Sequence, residues 1–424
     1  MSSQKVSLRL SPKQLLTIFF LGLGYTVVYA TPFIQYVFYD SLVSALGCTQ
    51  QQLGYLITIF GIGNILAAFG GLLSDRFNTK TIYMIGIGAI CILNILFAFN
   101  MNYTFALFTW AGFAFAGLFL YFPAHIKLSR LVGNEEQQGT IFGFVEAFCG
   151  VGNVIVNFIA LYFFTQFATD AYGINGLRAA IICYAVIGII TLICLYFLIP
   201  KPVIEKEEVS DSEIVDEKMG FSGWIDILKD PRTWMSGIAV FATYTMYCTL
   251  SYYTPYFSKV LGASVVFTGS VAIMRTYGTR FIGAPLGGWL GDKFHSLSSV
   301  IGLSLGGAIL CVLIFKFLPK HTDPTILIAL TIFLGILTYM ARGSMFAVPS
   351  ELKIPRKYAG STSGIVCCLG YCPDLFIFVL YGYWLDTYGN QGFDYIFLFA
   401  AIVMAIGVIN SIAITLYKKR HSHI

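Results

Sequence analysis

Long runs of apolar residues recur along the whole chain, and few of them are interrupted by charge. A run of about 18 or more such residues can cross a hydrocarbon core about 30 Å thick as an α-helix. Transmembrane strands are disfavoured because they would be short and would alternate apolar with polar residues. The pattern predicts twelve spans, approximately at 15–38, 52–74, 81–99, 104–126, 140–164, 178–199, 234–257, 265–291, 297–318, 325–348, 360–384 and 393–417.

A polar segment divides the chain into two hydrophobic halves. Residues 200–232 begin with two prolines and continue as EKEEVSDSEIVDEK, a charged run that cannot form a core. Within FSGWIDILKD the apolar residues recur at helical spacing. This spacing predicts an amphipathic helix that lies on the inner membrane face or packs on the protein's own loops. The predicted domains are six-helix bundles at 1–199 and 233–424, joined by a cytoplasmic linker at 200–232.

Composition agrees with an all-α polytopic membrane protein. Hydrophobic residues make up 57% of the 424 residues and charged residues only 11%, whereas soluble domains have about 25% charged residues. The 26 lysine and arginine residues concentrate in segments that share a side with both chain ends, and the positive-inside rule makes that side the cytoplasm. The net charge of +5 therefore reflects membrane orientation, and no nucleic-acid partner is expected.

Short phrases recur at matching places in the two halves. GGLLSDRF at 70–77 returns as GGWLGDKF at 287–294, each time at the end of the second span of its half. A Thr-Pro pair late in span one, at Thr31, returns late in span seven, at Thr254, and two glycines early in span five return early in span eleven. Such repeats indicate that a six-helix unit was duplicated, which predicts two pseudo-symmetric bundles.

The repeated phrase also carries a family resemblance. GLLSDRFNTK at 71–80 is similar to the signature between helices two and three of major facilitator superfamily permeases, in which Gly-x-Leu-small-Asp-Arg precedes a basic residue. RLVGNEEQQGTIFGFVEAFCGVGN and ARGSMFAVPSELK resemble a bacterial branch of largely unassigned substrate, loosely related to sugar-phosphate and organic-anion carriers. The resemblance implies the fold of that superfamily, a place in the bacterial cytoplasmic membrane, and a cavity lined by helices one, four, seven and ten.

The same phrases predict a gate at the cytoplasmic mouth. Their glycines let helix backbones approach closely, and their acids can face helix N-termini or pair with bases, which would hold the mouth shut. The bases can alternatively serve as ordinary positive-inside anchors. The gating candidates are Gly71, Asp75, Arg76, Gly288, Asp292 and Lys293.

Five ionisable residues fall inside predicted spans, where a charge costs about 2.5–3.5 kcal/mol on insertion scales and marks a functional candidate. They are Glu146, Arg275, Arg280, Arg342 and Asp374. A rise of about 1.5 Å per residue places Arg280 and Asp374 near the membrane midplane. The same rise places Glu146 and Arg342 in the inner half, so we expect a pair in each layer.

Two roles are open for these charges. A guanidinium offers a planar fork of donors that suits carboxylate, phosphate or sulfonate, so Arg280 and Arg342 are predicted substrate contacts. Permanent pairing with Glu146 and Asp374 would instead leave the arginines only fastening helices. Either acid could also carry a coupling proton, because burial raises a carboxyl pKa and a nearby arginine lowers it.

Aromatic residues form a second candidate surface. Tyr25, Tyr29 and Phe33 follow one face of helix one, and Tyr252 belongs to a dense group in span seven with Tyr244, Tyr247, Tyr253 and Tyr256. Tyrosines that line a cavity can stack on a sugar ring and bond its hydroxyls, although aromatic stripes also pack helices together. His125, near the inner end of span four, is a candidate proton relay or a solvent-facing side chain.

These features predict a secondary active transporter that moves a small polar organic solute, anionic or sugar-derived, by alternating access. The expected partners are that solute, membrane lipid and a proton or other coupling ion, in a monomeric protein. The ten cysteines are scattered, and no cofactor or metal site is expected. The alternatives are a membrane-embedded enzyme, for which the sequence offers no HExxH or other catalytic set, and a transporter-like sensor without transport.

Overall fold

A computed structural model describes residues 10–132, 138–169, 173–199, 227–317, 323–354 and 359–421. Throughout these ranges the chain is helical and contains no strand, which agrees with the predicted all-α class. Most of the predicted linker, with the greater part of its amphipathic helix, lies outside the described residues.

The chain divides into two compact units, one comprising residues 1–48 and 59–205 and the other comprising 49–58 and 206–424. The first eight helices are α1 (Pro12–Ala30), α2 (Gln35–Leu46), α3 (Gln50–Arg76), α4 (Thr79–Phe99), α5 (Tyr103–Phe113), α6 (Phe122–Leu131), α7 (Gln138–Phe167) and α8 (Ile174–Leu198). In the first unit, helix α1 packs against α7 and α8, and α4 packs against α8. Helix α3 begins in the second unit and continues in the first.

The helices after the linker all belong to the second unit. They are α9 (Pro231–Thr249), α10 (Tyr253–Lys259), α11 (Val265–Ile273), α12 (Arg280–Phe294), α13 (Leu297–Phe317), α14 (Pro324–Ser344), α15 (Val348–Glu351), α16 (Ala359–Tyr371), α17 (Pro373–Tyr388) and α18 (Gly392–His421). Helix α9 packs against α16 and α18, α12 packs against α14, and α13 packs against α14 and α18.

Eight segments of the described chain are long and apolar enough to cross a membrane. The last of them, Ile365–His421, covers the two predicted spans at 360–384 and 393–417. The remaining predicted spans coincide with α3, with α9 and α10, and with α11 and α12. The helices therefore fit the twelve predicted spans, while length and apolar character alone identify eight segments.

Several spans are interrupted rather than continuous. In span one, α1 ends at Ala30 and α2 begins at Gln35, because Pro32 lies between them and cannot supply a helical N–H. In span seven, a 3₁₀ turn at Leu250–Tyr252 separates α9 from α10. Two further spans contain π-helical turns, at Ala114–Tyr121 and Met274–Gly278. These interruptions change the direction in which side chains point along each span.

The exterior of the helices is strongly apolar. Phe108, Phe197 and Phe317 are 73%, 76% and 79% exposed, on α5, α8 and α13. Large apolar side chains left outside in such numbers would be unfavourable in water, and they suit contact with lipid chains.

Candidate functional site

Three polar side chains of the second unit lie on one face of α9. Tyr244, Tyr247 and Cys248 recur at helical spacing and therefore point to the same side. The Tyr244 hydroxyl donates to one oxygen of the Asp374 carboxylate at 2.8 Å, and the Cys248 thiol lies 3.7 Å from the other oxygen. Asp374 stands in the first turn of α17, which Pro373 can begin because that position needs no N–H.

Asp374 is 3% exposed, and a buried carboxylate needs donors to offset its lost hydration. Its donors are a phenol and a thiol from α9, both electrically neutral. The expected Asp374–Arg280 pair is therefore wrong. Arg280 is half-buried at the start of α12, where the π-helical turn before it sets its direction.

Arg342, in the last turn of α14, lies over the tyrosine rings of α9. Its guanidinium carbon is 4.0 Å from the centre of the Tyr247 ring and 5.8 Å from that of Tyr244. Such cation–π contacts contribute about 0.5–2 kcal/mol, and a stacked guanidinium keeps its N–H donors in its own plane. Within the described part of the chain, no carboxylate oxygen lies within 4 Å of Arg342. Its side chain is half-buried.

Two further tyrosines extend the aromatic surroundings of Arg342. The Tyr371 ring meets Tyr244 edge-on at 4.6 Å, and the Tyr339 ring meets Tyr247 at 6.3 Å. We name Arg342, Asp374, Tyr244, Tyr247, Cys248 and Tyr371 the arginine cluster. It combines a fixed positive charge, a buried carboxylate and phenol rings, an arrangement that suits an anion with an apolar or hydroxylated body.

Sequence reasoning missed two members of this cluster. Cys248 lies four residues after Tyr244, and Tyr371 lies three residues before Asp374. Helical spacing from a flagged tyrosine and from a flagged acid was therefore the available signal.

Arg275 occupies a different, fully buried place in the second unit. Its Nη2 donates to the Thr254 hydroxyl at 3.0 Å, and its guanidinium carbon is 5.8 Å from the Tyr253 ring centre. Gly335 of α14 approaches its backbone so closely that a Cβ there would lie 2.5 Å from the Arg275 carbonyl oxygen. These contacts fasten α10 and α14 to the π-helical turn that carries Arg275.

Glu146 is exposed on α7, so its prediction as a buried charge is wrong. A Cβ on Gly143, one turn earlier on the same helix, would have no atom within 4 Å. The apolar run around Glu146 did not show whether its side chain would be buried or exposed, because either face of a helix can be apolar in a membrane protein.

The aromatic row predicted on helix one is formed in the first unit. Tyr25, Tyr29 and Phe33 are half-buried, with ring centres 4.5 Å apart for the first pair and 6.5 Å for the second. Tyr252 differs, because it is 1% exposed and its hydroxyl donates to the Phe378 carbonyl oxygen at 3.2 Å. The structure therefore gives Tyr252 a packing role and does not support its predicted substrate contact.

His125 lies buried beside the aromatic row and does not meet solvent. Its Nδ1 is 3.1 Å from the Tyr121 hydroxyl. The rings of Tyr25 and Tyr83 lie 5.7 Å and 6.2 Å from the imidazole ring. The first unit thus closes its tyrosines around a histidine.

The gating candidates of the second half lie at the end of α12. Asp292 and Lys293 are exposed, and the Lys293 ammonium is 5.1 Å from the Trp289 ring centre. Gly288 faces open space, so the expected close approach does not occur there. Its neighbour Gly287 makes that approach instead, because a Cβ on Gly287 would lie 2.4 Å from a backbone oxygen of α14.

In the first half the structure describes only the backbone of residues 65–76. The side chains of Gly71, Asp75 and Arg76 lie outside the described part, and the predicted gate there stays a prediction. Among the described residues, no group of three His, Cys, Asp or Glu side chains is placed to hold a metal ion.

Comparison with known proteins agrees with this architecture. The family model of the Major Facilitator Superfamily matches residues 15–372. The chain is 27% identical over 391 residues to inner membrane protein YihN of Escherichia coli (strain K12), covering 91% of each protein. It is 27% identical over 367 residues to inner membrane protein YqcE of the same organism, covering 84% of this chain and 83% of that protein.

A solved structure shows the same fold. The crystal structure of the nucleoside transporter NupG superposes with a TM-score of 0.69 at 14% identity, covering 96% of this chain and 98% of that chain. With its apolar spans and its inner-membrane relatives, the protein is an integral inner membrane protein. Because the family model matches most of the chain and the helices adopt the matching fold, the chain belongs to the major facilitator superfamily.

Proposed function

We propose that the protein is a secondary active transporter that moves a small anionic organic solute across the cytoplasmic membrane by alternating access, with both chain termini in the cytoplasm. Membership of a transporter superfamily supports the transport itself. The observation that carries the substrate class is Arg342, whose guanidinium is held on two tyrosine rings, with no carboxylate of the described residues within 4 Å.

The electrostatics of the arginine cluster favour an anion. A half-buried guanidinium has lost part of its hydration, so a carboxylate or phosphate that accepts from it forms a charge-assisted hydrogen bond worth about 1.5–3 kcal/mol. Tyr244 and Tyr247 hold the guanidinium in one plane, which lowers the entropy that binding would otherwise cost. A neutral solute would gain only part of this energy.

The aromatic row supports a ring-bearing, sugar-derived solute. Tyr25 and Tyr29 are half-buried with adjacent ring faces, a surface that sugar rings stack on. This row also favours a second candidate, a neutral ring-bearing solute, and NupG is titled a nucleoside transporter. Charge recognition by Arg342 distinguishes the two candidates.

Asp374 is the residue we propose for ion coupling. Its carboxylate is buried, and the phenol and the thiol that donate to it from α9 are neutral groups, so protonation would not break an ion pair with either of them. Gain or loss of that proton would alter the hydrogen bond to Tyr244, the ring beside which Arg342 lies. The solute, bound by Arg342, and the coupling proton, bound by Asp374, would thereby both affect Tyr244.

A thermal-shift assay on the purified protein tests the substrate class. Glucuronate and glucose 6-phosphate serve as anions, and glucose and uridine serve as neutral probes. We expect the anions to raise the melting temperature of the wild type and to lose this effect in Arg342→Gln. Arg420→Gln, which removes the same charge from an exposed site in α18, is the matched control. Equal stabilisation of the wild type by neutral and anionic sugars, or undiminished stabilisation of Arg342→Gln by the anions, would contradict the anion proposal.

Uptake into proteoliposomes then tests the transport. A probe that stabilises the protein is labelled, and its uptake is measured with and without an imposed proton gradient. Gradient-dependent accumulation is expected, and it should be reduced in Asp374→Asn. Binding without any uptake would support the alternative of a transporter-like sensor.

A further inference from the structure

The beginning of α3 packs along α17 with almost no space between the two backbones. A Cβ on Gly54 would lie 2.5 Å from the Phe378 carbonyl oxygen, and a Cβ on Gly382 would lie 2.3 Å from the Gln50 carbonyl oxygen. Each helix thus places a glycine against the backbone of the other, which is how small residues bring membrane helices together. We name this contact between Gln50–Gly54 and Phe378–Gly382 the seam.

Polar bonds close the seam at both of its ends. One oxygen of the Asp386 carboxylate accepts from the Gln50 N–H at 3.0 Å, and the other accepts from the Gln51 N–H at 2.8 Å. One turn beyond Gly54, the Thr58 hydroxyl donates to the Leu375 carbonyl oxygen at 3.1 Å. The two helices therefore run antiparallel, with contacts about one turn apart.

Asp386 supplies a helix cap from another helix. The first N–H groups of an α-helix have no partner inside it, and they attract negative charge through the helix dipole. Thr49 and Gln52 cap α3 locally, since each accepts from the backbone N–H of the other. The N–H groups of Gln50 and Gln51 are left to Asp386, so this cap exists only while α3 and α17 stay together.

We infer that Asp386 is a positioning residue for transport, which locks the start of α3 onto α17 and releases it when that end of the protein opens. The inference rests on the proposed alternating access and on the proposed orientation, which places the start of α3 on the outer side. Because α3 continues into the first unit, movement of its start is passed along a continuous helix. The two glycines permit the closed contact, and the carboxylate adds a charge that only the closed contact uses.

Cys48 is a native reporter of this lock. It is 9% exposed and immediately precedes the Thr49 cap of α3. In sealed right-side-out vesicles, a membrane-impermeant maleimide should label it slowly, with peptide mass spectrometry separating it from the other nine cysteines. We expect Asp386→Asn to raise its labelling rate about three- to thirtyfold, the range for loss of a helix cap.

Two further variants make the result specific. Asp386→Glu keeps the carboxylate and should restore slow labelling. Asp323→Asn is the matched control, because Asp323 is an exposed carboxylate that caps its own helix by accepting from the Thr325 N–H at 2.7 Å. It should label like the wild type.

A glycine pair tests the seam without removing charge. Gly382→Ala places a methyl group against the Gln50 carbonyl oxygen and should speed labelling of Cys48 at least as much as Asp386→Asn. Gly306→Ala adds the same methyl where no atom lies within 4 Å and should have no effect. Wild-type labelling rates in folded Asp386→Asn and Gly382→Ala, judged folded by size-exclusion chromatography, would overturn the lock.

The outcome can be separated from that of the proposed function. Labelling of Cys48 requires no solute, so normal rates in these variants would leave the anion proposal intact. Conversely, loss of the lock with unchanged anion-induced stabilisation would confirm that Asp386 acts on opening and not on solute binding.

Discussion

The two units surround different ionisable groups with the same kind of ring. In the first unit, tyrosines enclose His125, which is buried and bonded to Tyr121. In the second, tyrosines carry Arg342 on their faces and one of them bonds a buried carboxylate, Asp374. The difference teaches that the same kind of aromatic frame can surround a histidine or an arginine. Under the proposed function, recognition of solute charge belongs to the second unit.

Replacement of Arg342 is expected to have the largest effect on this contrast. Arg342→Gln should weaken anion binding about 10- to 100-fold, the equivalent of one or two lost charge-assisted hydrogen bonds. Arg342→Lys keeps the charge but lacks the planar fork of donors, so its affinity for anions should lie between those of the wild type and Arg342→Gln. Titration of glucuronate by isothermal calorimetry measures both. Equal affinity in wild type and Arg342→Gln would remove charge recognition from the second unit.

Tyr244→Phe should have the next largest effect, on stability more than on selectivity. It removes the hydroxyl that donates to Asp374 and leaves a buried carboxylate with one donor fewer, at a cost of about 1–3 kcal/mol. The ring beside Arg342 remains. The melting temperature should fall, whereas Tyr162→Phe, at a 60% exposed position, should leave it unchanged. A melting temperature equal to that of the wild type would mean that the hydroxyl contributes nothing to the cluster.

A smaller effect is expected in the first unit. Tyr29→Leu removes a ring of the aromatic row, and stacking of this kind contributes about 0.5–1.5 kcal/mol, or roughly 2- to 13-fold in affinity. Anionic and neutral sugars should lose affinity equally, because no charge is removed. Tyr29→Phe keeps the ring and should bind nearly normally. A change in the preference for anions would contradict the proposal that the first unit stacks on the solute ring and the second unit recognises its charge.

The smallest effect is expected at the start of α9, the helix that carries Tyr244, Tyr247 and Cys248 of the arginine cluster. Partial burial acts to raise the pKa of Asp230, but hydrogen bonds and charge from Arg232 outweigh it and hold that pKa below its ordinary value. Because the folded-state pKa is lowered, the stabilisation is present above the unfolded pKa and is lost as pH falls through the folded one. Asp230→Asn should therefore lower the melting temperature slightly at pH 6, and the difference should shrink toward pH 3. A difference that grew on acidification would contradict the pairing.

The helices were predictable because apolar runs of spanning length and a polar break between them are local features, visible in the sequence without knowledge of tertiary contacts. Their interruptions were harder to predict. Pro373 begins a new helix inside predicted span eleven, so a depth counted along one continuous helix placed Asp374 beside Arg280. In the structure Asp374 instead bonds to α9.

The candidate site was predictable in its residue types and not in its pairings. Charges inside apolar spans identified Arg342 and Asp374, because a charge in a membrane span is energetically unfavourable and therefore marks a candidate for function. The same criterion selected Glu146, which is exposed, because an apolar run does not tell which face of its helix other helices cover. Tyr252 was selected by its residue type, and its burial depends on the turn between α9 and α10.

The π-helical turn at Ala114–Tyr121 sets the direction of the side chains that follow it in the first unit. Such a turn holds about one residue more than the α-helix it replaces, so the segments on its two sides are rotated by about 100°. Deleting a single residue there would swing His125 onto another face while the span kept its length and its apolar character. The turn at Met274–Gly278 gives Arg280 the same freedom. Gain or loss of one residue in either turn would thus reorient a candidate site residue and leave the hydrophobic span intact.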